Sequence, residues 1–219
     1  MLPFTREAFL AVFAAYNDAV WPAQIAAYLL AIAAVGLILR PSSGGGRSIA
    51  AILALMWAWT GLAYHVAFFA AINRPAFAFG ALFVVQAALL VWYGVVNDRL
   101  RFGFDGSPAA WIGAAFVLYA TLVYPLLSMA TGHVWPALPM FGITPCPVTI
   151  FTFGMLLMTT ARVPRVVLAI PFLWSLIGGS AAVLLSVQAD WLLLASGVAA
   201  IVLLMLRDRG MSAPRPAGA

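Results

Sequence analysis

Long apolar runs alternate along this chain with short polar breaks, and the runs fall at residues 20–39, 48–71, 76–96, 109–130, 147–161, 164–187 and 191–206. Runs of roughly 20 apolar residues are the length of helix that crosses a hydrocarbon core of about 30 Å. The breaks carry turn and cap chemistry. Arg40-Pro41 with Ser42-Ser43-Gly44-Gly45-Gly46 closes the first run, Asn73-Arg74-Pro75 the second, and Gln188-Ala189-Asp190 turns into the last. A longer polar loop, residues 97–108, holds Asp98, Arg99, Arg101 and Asp105. Ahead of the first run, residues 5–17 are too short and polar to span. Phe9, Val12, Phe13 and Tyr16 recur at helical spacing there, which predicts an interfacial helix with Thr5 as its N-cap.

The pattern predicts an all-α, polytopic membrane helix bundle of about seven transmembrane helices plus the N-terminal interfacial helix. Residues 1–206 form one transmembrane domain and residues 207–219 a polar tail. Two runs are short, 147–161 and 191–206. The stretch before the first of these, residues 133–147, is apolar but too rich in proline for a helix, so it is expected to dip into the membrane domain and pack on protein.

Seven crossings fix an orientation. With the N-terminus outside, Arg40, Arg47, Arg99, Arg101, Arg162, Arg165, Arg207, Arg209 and Arg215 fall on the inner side and only Arg6 and Arg74 on the outer side. This bias puts the C-terminus in the cytoplasm. Composition agrees: 65% of residues are hydrophobic and 8% charged, far below the roughly one quarter that keeps a soluble domain in solution. The location expected is a bacterial inner membrane, with the lipid bilayer as principal partner. The net charge of +5 comes from arginine alone and sits at helix ends, so it does not indicate nucleic acid. The absence of lysine excludes a retinal Schiff base. One cysteine excludes an internal disulfide, and the first residues lack the basic and apolar blocks of a cleaved signal peptide.

An internal repeat is suggested by paired features. Trp21-Pro22 opens the first run and Cys146-Pro147 the fifth, while Trp57-x-x-x-Gly61 in the second run matches Trp174-x-x-x-Gly178 in the sixth. Runs 1–3 and 5–7 would then be parallel repeats joined by the fourth, a 3+1+3 plan of a kind found in transporters.

The stretches Met1-Leu2-Pro3-Phe4-Thr5 through Tyr16-Asn17, Ala19-Val20-Trp21-Pro22, and Gly142-Ile143-Thr144-Pro145-Cys146-Pro147 with Thr149 to Gly154 resemble a bacterial family of small integral membrane proteins of unknown function. The resemblance covers nearly the whole chain. It implies a multi-span fold and supplies no activity.

Candidate chemistry is sparse. Pro147 suits a first helical position, which places Cys146 at the N-cap beside free N–H groups. Cys146 is then either a thiol or metal contact or a small packing residue between two prolines. With His65 and His133, and with Asp18 on the same side, it forms the one donor set that could hold zinc or copper; no other cofactor is expected. Gln24, Tyr64, His65, Gln86, Tyr124 and Thr149 are the polar groups expected to contact a solute, although Gln86 equally suits a hydrogen bond between helices. No acidic residue is expected at depth, so acid–base catalysis has few candidate groups and a non-enzymatic role is expected. Gly178-Gly179-Ser180-Ala181-Ala182 reads as a close-packing face or a hinge. Three function classes remain: a small-solute or ion transporter or channel with a site near the outer face, which leads; an outer-face thiol- or metal-handling protein; and a non-catalytic subunit of a membrane complex or a homo-oligomer.

Overall fold

The computed structural model describes residues 3–185 and 187–210. Eight helices are named here: α1 (Arg6–Val20), α2 (Ala23–Leu39), α3 (Gly45–Ala71), α4 (Ala76–Val96), α5 (Pro108–Ala130), α6 (Pro145–Leu157), α7 (Arg165–Leu185) and α8 (Trp191–Gly210). Among the described residues, five helical segments are long and apolar enough to cross a membrane, and a sixth results if the bent pair α1–α2 counts as one span. The chain is therefore a membrane-embedded helical bundle. Its outer surface carries large apolar side chains, among them Leu29 and Ile32 of α2, Trp92 of α4, Leu118 and Leu126 of α5 and Leu184 of α7. Water would not tolerate such a belt; lipid does.

The sequence-based run at 20–39 is broken. Val20 ends α1, and the axis turns by 82° at Trp21-Pro22 before α2 begins. A proline cannot donate to the helix, so the bend falls there. Thr5 caps α1, accepting from the Ala8 amide at 3.2 Å. The apolar face of α1 is packed on protein. Val12, Phe13 and Tyr16 are buried, and Phe13 stacks on Tyr64 of α3.

Three helices contain wide π-type turns, at Thr60–Phe68 in α3, Val91–Val96 in α4 and Tyr119–Val123 in α5. Such turns are common at functional positions because they re-aim the side chains that follow. Periodicity in the sequence gives no sign of them.

The central post is α6. Of its residues only Cys146 is not fully buried. Thr144 occupies the N-cap position and Pro145 the first turn, so Cys146 lies one turn position inside the helix and not at the cap as expected. Both prolines fit because first-turn N–H groups have no intrahelical partner. Gly113 of α5 and Gly154 of α6 let these two backbones meet: a Cβ on either would lie 2.6 Å from the other's carbonyl oxygen. The Gly178-Gly179 face of α7 likewise packs on α8, where added Cβ atoms would lie 2.9 Å from Leu193 and Leu194. This is the close-packing reading of that stretch.

One end of the bundle gathers the arginines. Arg101 pairs with Asp98 at 3.1 Å, and Arg47 approaches the same carboxylate at 3.8 Å. Arg207 donates to the carbonyls of Thr159 and Ala161. The 97–108 loop clasps the segment after α6 through Gly103 N–H to the Met158 carbonyl and Thr160 N–H to the Arg101 carbonyl. In this loop Ser107, first through its side chain and then through its amide, holds the Asp105 carboxyl below its ordinary value. Ser107 then caps α5 ahead of Pro108. The helix α8 runs to Gly210, so Arg207 and Arg209 belong to it rather than to a tail; residues 211–219, with Arg215, lie outside the described residues.

At the opposite end the proline-rich segment after α5 is exposed at Val134 and Trp135 and turns inward from Leu138, with Leu138, Phe141, Ile143 and Thr144 almost wholly enclosed. Irregular backbone at such a position needs partners from side chains. Asn17 of α1 donates to the carbonyls of Pro136 and Leu138, and Tyr16 donates to that of Ile143. Trp59 of α3 in turn donates to the Tyr16 hydroxyl. The segment is thus fixed by α1, and α1 by α3.

Candidate functional site

Two helices begin below the level of their neighbours at the end away from the arginines. At a rise of about 1.5 Å per residue, the 13 residues of α6 span about 20 Å, short of a bilayer core. Before α8 a tight turn, Gln188–Asp190, sits against the middle of α5: the Tyr119 hydroxyl donates to the Ala189 carbonyl. The room left above these two starts is only partly filled by the proline-rich segment. What remains is a cavity of about 410 Å³, within the range of about 300–1,000 Å³ typical of small-molecule sites.

Its walls are aromatic and aliphatic. Phe4, Phe9 and Phe13 come from the N-terminal end, Tyr64 and Phe69 from α3, Phe79 from α4, and Trp174 and Ile177 from α7. Edge-to-face contacts bind Phe4 and Phe9 to Phe69 and Phe79 to Trp174. The helix α1 therefore roofs the cavity.

Polar groups cluster on the floor. Asp190 is only 6% exposed, and its carboxylate accepts a hydrogen bond from the Tyr124 hydroxyl of α5. The Cys146 thiol of α6 lies beside the same carboxylate. Trp174, 7% exposed, lies against the same thiol, and its indole N–H has no hydrogen-bond partner. No arginine is paired with Asp190 among the described residues. The expectation that acidic groups stay at surfaces is therefore corrected. Asp190 ends the tripeptide Gln188-Ala189-Asp190, which reads as a surface turn, yet α5, α6 and α7 enclose it.

The groups named from sequence divide. Tyr64, Tyr124 and Cys146 line the cavity. His65 stands behind its wall, wholly buried among Phe79, Phe83 and Trp174, with neither ring nitrogen hydrogen-bonded. Gln24 donates to Asn17, away from the cavity. Gln86 bridges α4 to α7 by donating to the Val167 carbonyl at 3.0 Å, and Thr149 bonds back to the Pro145 carbonyl within α6.

The zinc or copper set is not assembled. His133 lies in the loop after α5 and meets Arg6 at 3.1 Å. Arginine only donates, so His133 Nε2 accepts, and its Nδ1–H is left to donate to Thr131 Oγ1 at 3.2 Å. Desolvation, and then Arg6, hold the His133 imidazole below its ordinary value of 6.5. Asp18 is exposed. Among the described residues no group of three or more His, Cys, Asp or Glu side chains is placed to hold a metal ion.

Sequence reasoning passed over Asp190, Trp174 and the aromatic roof. The first has no clear sign in the sequence: residues 188–190 separate two apolar runs as a surface turn would, and the depth of Asp190 shows only in the contacts of this turn with Tyr119 and Tyr124.

Comparison with known families gives one match, a family of unknown function, DUF6064, over residues 6–215. The chain belongs to that family. Neither the curated proteins nor the solved structures contain a match. For a DUF6064 member, function has to be argued from the site itself.

Proposed function

We propose that this protein is a seven-span, transporter-type membrane protein of the bacterial inner membrane, with its N-terminus outside, its C-terminus in the cytoplasm and its solute site in the cavity above α6 and α8. The observation that carries this reading is the buried Asp190–Tyr124–Cys146 cluster on the floor of an otherwise apolar cavity. Ionisable side chains at membrane depth are costly and mark ligand or ion sites. Helices that start inside the membrane domain and present their N-termini to a cavity are a transporter device. The count of seven takes α2 and the protein-enclosed α6 as crossings beside the five long helices. Arginine clustering at the other end supports the orientation, since cytoplasmic ends carry the Arg excess. The matched Trp-x-x-x-Gly motifs support a 3+1+3 plan, as Gly61 packs on Gly80 of α4 just as Gly178 packs on α8.

The test uses the chain's single cysteine. Intact cells are treated with a small membrane-impermeant methanethiosulfonate bearing a trimethylammonium group, and Cys146 modification is followed by mass. Modification in intact cells, at a rate unchanged by permeabilisation, is the expected result. Modification only after permeabilisation would overturn the outer placement of the site.

A further inference from the structure

A buried carboxylate needs a positive partner or a full set of donors. Asp190 has two neutral neighbours, Tyr124 and Cys146, and no arginine, and the chain has no lysine. Among the described residues it is the only carboxylate that is buried. Among the described residues none supplies the positive partner, while the space beside the carboxylate is a cavity.

The walls fit the same partner. Phe9, Phe13, Tyr64, Phe69, Phe79 and Trp174 surround the space above Asp190. Aromatic faces attract a cation through the ring quadrupole, and more strongly where water is excluded. They also bury an apolar body, which no solvated metal ion has. At roughly 30 Å³ per non-hydrogen atom, as in liquid water, 410 Å³ holds about fourteen such atoms.

We propose that the ligand is an organic ammonium: a protonated amine paired with Asp190, carrying an apolar, arene-sized body among the aromatic side chains. This deepens the solute-site reading and rests on it. The ammonium donates to the carboxylate oxygens beside the Tyr124 bond and next to the Cys146 thiol, and the arene lies under the α1 roof. Simple inorganic cations lack the apolar body; fatty acids and other anions are repelled by Asp190.

Three probes of matched size separate these chemistries: 4-phenylbutylamine, 4-phenylbutan-1-ol and 4-phenylbutyrate. Each is added to the purified full-length protein in lipid nanodiscs. Two readouts are taken, the rate of Cys146 modification by methyl methanethiosulfonate and the thermal unfolding midpoint, so that a slow thiol does not mask binding. The amine is expected to slow modification at least tenfold and to raise the midpoint, with the alcohol and the carboxylate changing the rate less than twofold. Asp190→Asn is expected to abolish protection by the amine, and Asp190→Glu to keep part of it. Equal protection by amine and alcohol, or protection unchanged in Asp190→Asn, would overturn the ammonium assignment while leaving the cavity a solute site. Absence of any effect from all three probes in both readouts would overturn the assignment together with the reading beneath it.

Discussion

Two tryptophans in matching sequence contexts have opposite surroundings. Trp57 of α3 is fully buried, lies against Phe83 at 4.3 Å between ring centroids, and donates from Nε1 to Thr152 Oγ1 of α6 at 2.9 Å. Trp174 of α7 is also buried, but its indole N–H has no partner and its ring forms a wall of the cavity. Both are followed four residues later by a glycine that admits a neighbouring helix. The motif therefore serves packing in both places. What differs is the neighbourhood: α6 passes Trp57 as an intact helix, whereas near Trp174 both α6 and α8 have only just begun. Polar atoms in a packed core are almost always satisfied. Trp174 Nε1 and both His65 ring nitrogens are exceptions beside the cavity, while Gln24 Oε1, Gln86 Oε1 and Arg207 Nε are exceptions elsewhere.

The comparison can be broken by mutation. The largest effect is expected from Trp57→Ala, which empties a filled site and should cost about 3–5 kcal/mol in equilibrium unfolding from mixed micelles. A loss below about 1 kcal/mol would mean that the Trp57 region is as loose as the cavity. Next comes Thr152→Val, which strips the acceptor from the buried Trp57 N–H and should cost about 1–3 kcal/mol. Trp174→Phe removes an N–H that has no partner, so the same unfolding measurement should change by less than about 1 kcal/mol, in either direction. A cost for Trp174→Phe equal to that of Thr152→Val would show that its indole is satisfied in the membrane.

The smallest effect concerns the proline-rich segment. His133 has a lowered pKa in the fold, so the folded state prefers the neutral ring that accepts from Arg6. Its contribution is fully present above the ordinary value near 6.5 and declines as pH falls below it, because the unfolded chain then binds the proton more readily. Unfolding midpoints taken between pH 7.5 and 5 should fall slightly for the wild type and not for His133→Gln. A parallel fall in both would remove His133 from the account.

The long helices were legible because hydropathy over some 20 residues responds to lipid and to little else. The helix over residues 5–17 and its apolar face were legible from the spacing of Phe9, Val12, Phe13 and Tyr16, and that face packs on Tyr64, Phe69 and Ile143. The bend at Trp21-Pro22 and the wide turns in α3, α4 and α5 were not visible, since each depends on what the neighbouring helix allows. Tyr64, Tyr124 and Cys146 stood out from sequence as polar groups in apolar runs. His65, Gln24, Gln86 and Thr149 stood out for the same reason, yet none of the four lines the cavity. Sequence lists polar residues but not the direction each one faces, and a π-type turn changes that direction for Tyr64 and for Tyr124 just beyond it. Asp190 was read as part of a surface turn because a polar tripeptide between two apolar runs is normally at the surface. Its depth follows only from where the turn meets Tyr119 and Tyr124, positions far away in the chain.

The central claim is that the space above Cys146 and Asp190 is a solute site. It is tested most directly by filling that space. Ala181 lines the cavity from α7, and Ala181→Phe should occupy part of it without touching the floor. In nanodiscs, the rate at which methyl methanethiosulfonate modifies Cys146 should fall at least tenfold in this variant, with the unfolding midpoint unchanged or higher. An unchanged rate would mean that the reagent reaches the thiol by another path, and the cavity would lose its standing as the site.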